Sequence, residues 1–262
     1  MTRKIVITSG KGGVGKTTVT ANLGINLAKL GKKVAVFDVD FGLNNLDVVL
    51  GLEKNVVYDL SDVLEGRCRL KQALLQHTFY KNLYVLPSDK INSFSTLSGQ
   101  NVKLLLESFS SSFDYVLIDC PAGIDIGFHR AISCADEVLL VVTSDSSSIR
   151  DASKAYSIIK SYKPDYVGLI VNRARGDLIA GNKVMKPLEI AHALKVELFG
   201  VIPDDDAVIF VSERGLSKRS NANKAYKILA ENLVFGKRNL YDSTEKYSGF
   251  FGSIRRGIKS GI

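Results

Sequence analysis

"SGKGGVGKTT", residues 9–18, follows the apolar run "KIVITS" and precedes "TTVTANLGINLAKLG". Gly10, Gly15, Lys16 and Thr17 satisfy the spacing G-x-x-x-x-G-K-[ST], and a strand before it with an amphipathic helix after it is the context that this spacing requires. Glycines let successive backbone N–H groups close around phosphate oxygens, and the start of the helix adds a favourable dipole. Lys16 then meets the outer phosphates and the Thr17 hydroxyl reaches Mg²⁺, with Gly12, Gly13, Val14 and Thr18 completing the cradle. One residue is left over by this reading. Lys11 stands at the start of a loop whose phosphate-binding lysine is already supplied by Lys16.

Outward from the loop, short apolar runs rich in β-branched residues recur at 33–40, 83–88, 115–120, 137–143, 166–172 and 198–203. Their hydrophobicity is continuous rather than alternating, which predicts strands buried on both faces. Helical patterns lie between them at about 15–30, 99–112, 147–162, 184–195 and 221–234, several opened by Ser, Thr, Asp or Asn. The alternation predicts a doubly wound α/β fold, a mostly parallel sheet of about 7–8 strands with helices on both faces. Ligands bind such sheets at the carboxyl ends of the strands. No Gly-, Ser- or Pro-rich linker divides the first 235 residues, so we expect one phosphate-loop domain over 1–236, a linker over 237–249 and a helix over 250–262.

Composition narrows the setting. The chain carries 35 Lys and Arg against 27 Asp and Glu, a formal +8 that favours an anionic partner. The three cysteines are odd in number and lack CxxC spacing, which argues against a disulfide framework and against a metal or cluster site. A reduced cytosolic setting without signal peptide or membrane span is expected. His77, His129 and His192 are scattered and receive no catalytic role.

Three carboxylates at two strand ends complete the chemistry. "FDVDFGLNNLD", 37–47, places Asp38 and Asp40 at the end of the second strand, where carboxylates beside a phosphate loop hold Mg²⁺ waters and orient an attacking water. "YVLIDCPAG", 115–123, ends a strand on Asp119, the position from which a phosphate-loop enzyme supports its metal. No Ser, His and Asp constellation competes, which leaves phosphoryl transfer to water as the expected reaction.

"KGGVGKT" resembles the deviant Walker A signature of the MinD/ParA family of ATPases. The resemblance implies ATP and Mg²⁺ as ligands, Asp40 as the group that positions or activates water, Asp38 and Thr17 at the metal, and Asn45 as a polar switch residue. It implies that Lys11 reaches across an ATP-dependent homodimer to the partner's nucleotide. Asn172 and Arg173 in "IVNRA", with Pro203 and Asp204 in "IPDDD", match the family's base-side positions.

"GFFGSIRRGIKSGI", 249–262, is patterned for an interface. At about 100° per residue, Phe250, Phe251, Ile254, Ile258 and Ile262 fall within an arc of roughly 120°, flanked by Arg255, Arg256 and Lys259. An apolar stripe with a cationic flank suits an anionic membrane surface. Its glycines weaken the helix in water, so one copy binds weakly, while two copies joined in a dimer gain on the order of 10²- to 10⁴-fold. A nucleic-acid arm would have no use for the Phe and Ile stripe, and no specific nucleic acid is expected.

Within the family, "VVYDLSDVLEGRCRLKQALL" (56–75), "DCPAGIDIGFHRAI" (119–132), "SSIRDASK" (147–154) and the terminal helix look like the division-site branch. That branch implies a slow ATPase, cytoplasmic and peripheral on the inner membrane, that recruits MinC and is released by MinE, with Arg150 and Asp151 at the start of the partner-contacting helix. Flagellar-number regulators are the alternative, although they usually carry "DTGAG" where this chain has "DCPAG". DNA-partition relatives are the third reading.

Overall fold

The computed structural model describes residues 2–39, 46–88, 99–209, 214–249, 252, 254 and 256. In chain order these form β1 (Arg3–Thr8), α1 (Lys16–Lys29), β2 (Val34–Asp38), α2 (Leu46–Val49), α3 (Leu60–Leu64), α4 (Leu70–Ala73), β3 (Leu75–Gln76), β4 (Leu83–Leu86), α5 (Gly99–Ser110), β5 (Tyr115–Asp119), α6 (Ile126–Ser133), β6 (Glu137–Val142), α7 (Ser146–Ser161), β7 (Tyr166–Ala174), α8 (Gly176–Ala180), α9 (Pro187–Leu194), β8 (Glu197–Pro203) and α10 (Asn221–Phe235). The strands make one sheet in the order β3-β4-β2-β5-β1-β6-β7-β8. Every pairing is parallel except β3 with β4.

Side chains of β1 alternate between two apolar layers, and this is why the central strands read as continuous hydrophobic runs. Ile5 and Ile7 pack with Val19, Leu23 and Leu27 of α1 and with Tyr226 and Leu229 of α10. Val6 faces the other way, into a layer that includes Phe109 of α5, Phe128 and Ile132 of α6, Ile159 of α7 and Ile190 of α9. Burying both faces of the central strands keeps water from their ladder hydrogen bonds, and apolar area removed from water contributes about 25 cal/mol per Å².

The order also positions the site. The chain leaves β1 toward β2 on one side, and later enters β6 on the other, so the connection after β1 sits where the winding reverses. A crevice opens at such a switch point, beyond the carboxyl ends of the strands. Residues 9–15 occupy it.

After α10 the chain turns at Gly236, in left-handed conformation, and folds back along the body. Asn232 fastens this return, its Nδ2 donating to Asn239 O at 2.8 Å and its Oδ1 accepting from Asn239 N at 3.1 Å. Arg238 pairs with Glu197 at 3.0 Å. The stretch 237–249, read from sequence as a linker, is therefore a strap held against β8 and α10. Among the described residues no helix is long and apolar enough to cross a membrane. Phe250, Phe251, Arg255, Ile258, Lys259 and Ile262 of the expected terminal helix lie outside the described residues.

Candidate functional site

The loop between β1 and α1 is shaped by backbone that only glycine adopts without strain. Gly13 and Gly15 have φ of 76° and 96°, in the left-handed half of the map that costs a side chain of about 1 kcal/mol or more. Gly10 is required for a different reason. A Cβ built there would lie 2.1 Å from Asp151 O and 2.3 Å from its carbonyl carbon, so the loop rests directly on the backbone of α7. Gly15 precedes α1 and offers no side chain to cap it, which leaves the first N–H groups of a 14-residue helix aimed at the crevice.

Lys16 is buried, at 7% exposure, and its Nζ donates to Ser9 Oγ at 3.1 Å. The Ser9 hydroxyl in turn donates to Lys11 O at 2.6 Å. An ammonium held along the inside of the loop stands within reach of any phosphate the cradle accepts. Thr17 and Thr18 are half-buried in the first turn behind it.

Asp38 and Asp119 end neighbouring strands as register partners, and both are buried, at 1% and 2% exposure. The Thr20 hydroxyl donates to Asp119 Oδ1 at 3.0 Å and, from the same oxygen, lies 3.0 Å from Lys16 O. This ties the carboxylate to the first turn of α1. Buried carboxylates beside a cradle of N–H donors form an oxygen-rich donor set of the kind Mg²⁺ takes. Asp40 and Asn45 lie outside the described residues.

Lys11 points away from the cradle. Its Nζ sits 3.0 Å from Asp145 Oδ1 and 2.6 Å from Ser147 Oγ. Asp145 is the N-cap of α7, accepting from Ser148 N at 2.9 Å, from Ser147 Oγ at 2.6 Å and from the Thr143 hydroxyl. The hydroxyls of Ser147 and Thr143, then the Ser148 N–H and Lys11, hold its carboxyl well below the usual carboxylate range. Lys11 is half-exposed and remains at the mouth of the site.

Beside the loop a cavity of about 520 Å³ opens between Gly12, Val14, Ser144, Arg173, Leu178 and Asp204. Arg173 is exposed and in left-handed conformation at φ 52°, which turns it toward this cavity. Arg175 is clamped by both oxygens of Asp177, at 3.0 and 2.7 Å. Asp204 is fixed by its N–H on Ala174 O at 3.1 Å, and Pro203 lines a small adjoining recess. Asn172, expected on the base side, is tied to the phosphate loop. Its Nδ2 donates to Val14 O at 2.7 Å, and a Cβ on Gly15 would lie 2.5 Å from that nitrogen, so Asn172 braces the phosphate loop from beneath. Reasoning from sequence had no role for Ser9, Thr20 or Asp145. Only the last had a visible signal, as an Asp opening the helical run "SSSIRDASK".

A family model described as the CobQ/CobB/MinD/ParA nucleotide binding domain matches residues 5–218. The chain belongs to the MinD/ParA family. It is an ATPase of that family, with ATP and Mg²⁺ as its ligands. The septum site-determining protein MinD of Bacillus subtilis is 39% identical over 268 residues, covering 99% of this chain and all of that one. The MinD subunit in the MinC:MinD cell division complex of Aquifex aeolicus superposes with a TM-score of 0.82 at 39% identity, covering 90% of this chain and 96% of that one. Septum site-determining MinD of Pyrococcus horikoshii, solved with Mg-ADP, gives 0.78 at 32% identity, over 89% and 96%. Relatives in the MinD/ParA family thus match through the strap as well as the nucleotide domain.

Proposed function

We propose that the protein is an ATP-hydrolysing spatial regulator of bacterial cell division, in which ATP-driven dimerisation sets peripheral binding to the inner membrane. The observation that carries this reading is the division of labour between two lysines of one loop. Lys16 is sealed along the cradle, whereas Lys11 waits half-exposed at its mouth on Asp145. A second ammonium placed outside its own phosphate site is positioned to serve the nucleotide of a second copy.

In this reading the N–H groups of residues 10–18 and Lys16 hold the phosphates, while Arg173 and Asp204 flank the base. Thr17, Asp38 and Asp119 would hold Mg²⁺ and its waters, and the ion would supply charge neutralisation on the transferred phosphoryl group. Asp40 orients the attacking water, and Asn45 belongs to the same switch. Loss of the γ-phosphate removes what Lys11 reaches for, and the dimer parts. The terminal stripe, from Phe250 to Ile262 with Arg255, Arg256 and Lys259, grips anionic lipid only when two copies act together.

MinC is the first partner to expect, because it is the partner in the related Aquifex aeolicus complex. MinE is the expected stimulator of release. The test is complex formation with MinC from the same organism. A stable complex with ATP and none with ADP supports the division reading, and no complex in either nucleotide overturns it.

A further inference from the structure

A second cavity, of about 920 Å³ against about 520 Å³ beside the loop, opens at the β8 edge of the sheet. α8 stands between the two, with Leu178 lining the smaller and Ile179 and Ala180 the larger. Ile179 and Val201 are its buried apolar lining, but its lip carries apolar side chains that water reaches. Leu188 is 60% exposed and Leu240 40%, and Met185, at 39%, directly precedes Lys186 and Pro187 of the lip. Isolated exposed apolar residues are ordinary, whereas several around one groove mark a contact surface.

The terminal helix runs beside this groove with its apolar stripe turned outward. Residues 252, 254 and 256 are helical. Gly252 is buried, and a Cβ there would lie 2.3 Å from the carbonyl carbon of Tyr247. Arg256 lines the groove and donates from Nη1 to Ala180 O at 3.2 Å. Ile254, two positions from each and so nearly opposite on the helix, is 49% exposed. The glycine and the arginine therefore seat the helix on the body, and Ile254 faces away from it.

We propose that the lip of this groove, Met185 to Leu188 with Leu240, is a second membrane contact on the folded body, entering the same anionic bilayer as the stripe of residues 250–262. The proposal rests on the membrane reading of that stripe and extends the lipid-facing surface beyond it.

Continuity and charge commit the lip to lipid. Ser248 and Gly249, which lead into the helix, line the same groove as Leu188 and Leu240, so a bilayer that takes Ile254 meets the lip across one cavity. Lys183 and Lys186 are exposed on the connection between α8 and α9. Two acids share the rim, each already engaged. Glu189 Oε2 accepts from Lys186 N at 2.8 Å, and Asp242 Oδ1 accepts from Thr244 N at 2.8 Å and Thr244 Oγ1 at 2.6 Å. On the strap, Glu245 stands next to Lys246. Lys183, Lys186 and Arg256, joined by Arg255 and Lys259 of the tail, leave this face cationic, as an anionic leaflet requires. A tail alone would let the body swing beneath it, and a second contact fixes the orientation in which the body meets the membrane.

The chain contains no tryptophan, so Leu188→Trp, Ile254→Trp and Phe79→Trp each carry a single fluorescent reporter. Phe79, 42% exposed, lies between β3 and β4 at the opposite edge of the sheet and serves as the control. The measurement is quenching by phosphatidylglycerol vesicles with brominated acyl chains, in ATP. The proposal predicts quenching at 188 and 254 and none at 79. Quenching at 254 but not at 188 overturns the body contact and leaves the tail reading standing. No quenching at either overturns the membrane reading and the contact with it. Quenching at all three shows adsorption without a defined face and overturns the contact as well. Quenching at 188 alone supports the body contact and removes the tail. Leu188→Gln supplies the second arm. It should hydrolyse ATP normally without lipid and bind the same vesicles about tenfold more weakly. Unchanged vesicle binding with a weakened MinC complex would overturn the proposal and make the lip a protein surface.

Discussion

Lys11→Ala separates what the residue does in one chain from what it does between two. Within the chain its ammonium meets Asp145 at 3.0 Å, with side chains 39% and 47% exposed, and ion pairs this open to water contribute only about 0.2 to 1 kcal/mol. Asp145 keeps its bonds from Thr143, Ser147 and Ser148, so the cap of α7 survives. For a chain of this size about 1 kcal/mol moves Tm by roughly 2 to 4 °C, and the variant should melt within about 4 °C of the unaltered protein.

Between chains the arithmetic differs. A charge-assisted hydrogen bond contributes about 1.5 to 3 kcal/mol, and a two-fold dimer loses two of them. That is about 3 to 6 kcal/mol, or roughly 10²- to 10⁴-fold weaker pairing. Thermal scans, nucleotide titration and sedimentation velocity with ATP read the three quantities. The variant should bind ATP normally through Lys16 and remain monomeric at concentrations where the unaltered chain pairs. A normal ATP dimer would refute the cross-subunit role. A fall of Tm beyond about 10 °C would show instead that the Asp145 contact is structural.

Asp40→Ala should bind ATP and pair while losing turnover in a phosphate-release assay, and unchanged hydrolysis removes Asp40 from the mechanism. Gly10→Ala forces a methyl group against the backbone of Asp151, so it should cost about 1 to 3 kcal/mol of stability and weaken nucleotide binding together with it. Calorimetry showing neither change would contradict the keying of the loop to α7. His77 is buried with its Nδ1 accepting from Phe79 N and Tyr80 N, and burial, then Lys81, lower its pKa. A lowered folded value means stability that is full above the ordinary value of about 6.5 and is lost as pH falls from there toward the folded value, by at most about 1.4 kcal/mol per pH unit. Tm should fall between pH 7 and 5.5, by less in His77→Gln than in the unaltered chain; equal slopes would exclude the histidine.

The parallel strands were legible because burial on both faces leaves continuous apolar runs, and the phosphate loop because its glycines and Lys16 are fixed by spacing. β3, two residues long, carries no period to read. The helices α2, α3, α4 and α8 have only four or five residues each, too few for a 3.6-residue repeat, although the Asp59 and Asp62 capping box of α3 stands in the sequence. Thr20 and Asp145 act through partners brought to them by the fold, Asp119 at 99 residues and Lys11 at 134, while Ser9 bonds within the loop to Lys11 O and Lys16. Asn172 stands at the strand end expected on the base side, and its bond to the carbonyl of Val14, 158 residues away, is a further contact that no spacing in the sequence shows. The strap looked like a linker because its polar composition hides the Asn232 and Arg238 anchors.

Cosedimentation with anionic liposomes, in ATP and in ADP, with the full chain and a chain ending at Gly249, bears most directly on the claim that nucleotide controls membrane residence through pairing. The account predicts that the full chain sediments with lipid in ATP, far less in ADP, and that the shortened chain stays in solution in both. Binding that ignores the nucleotide, or that survives loss of the last 13 residues, would contradict it.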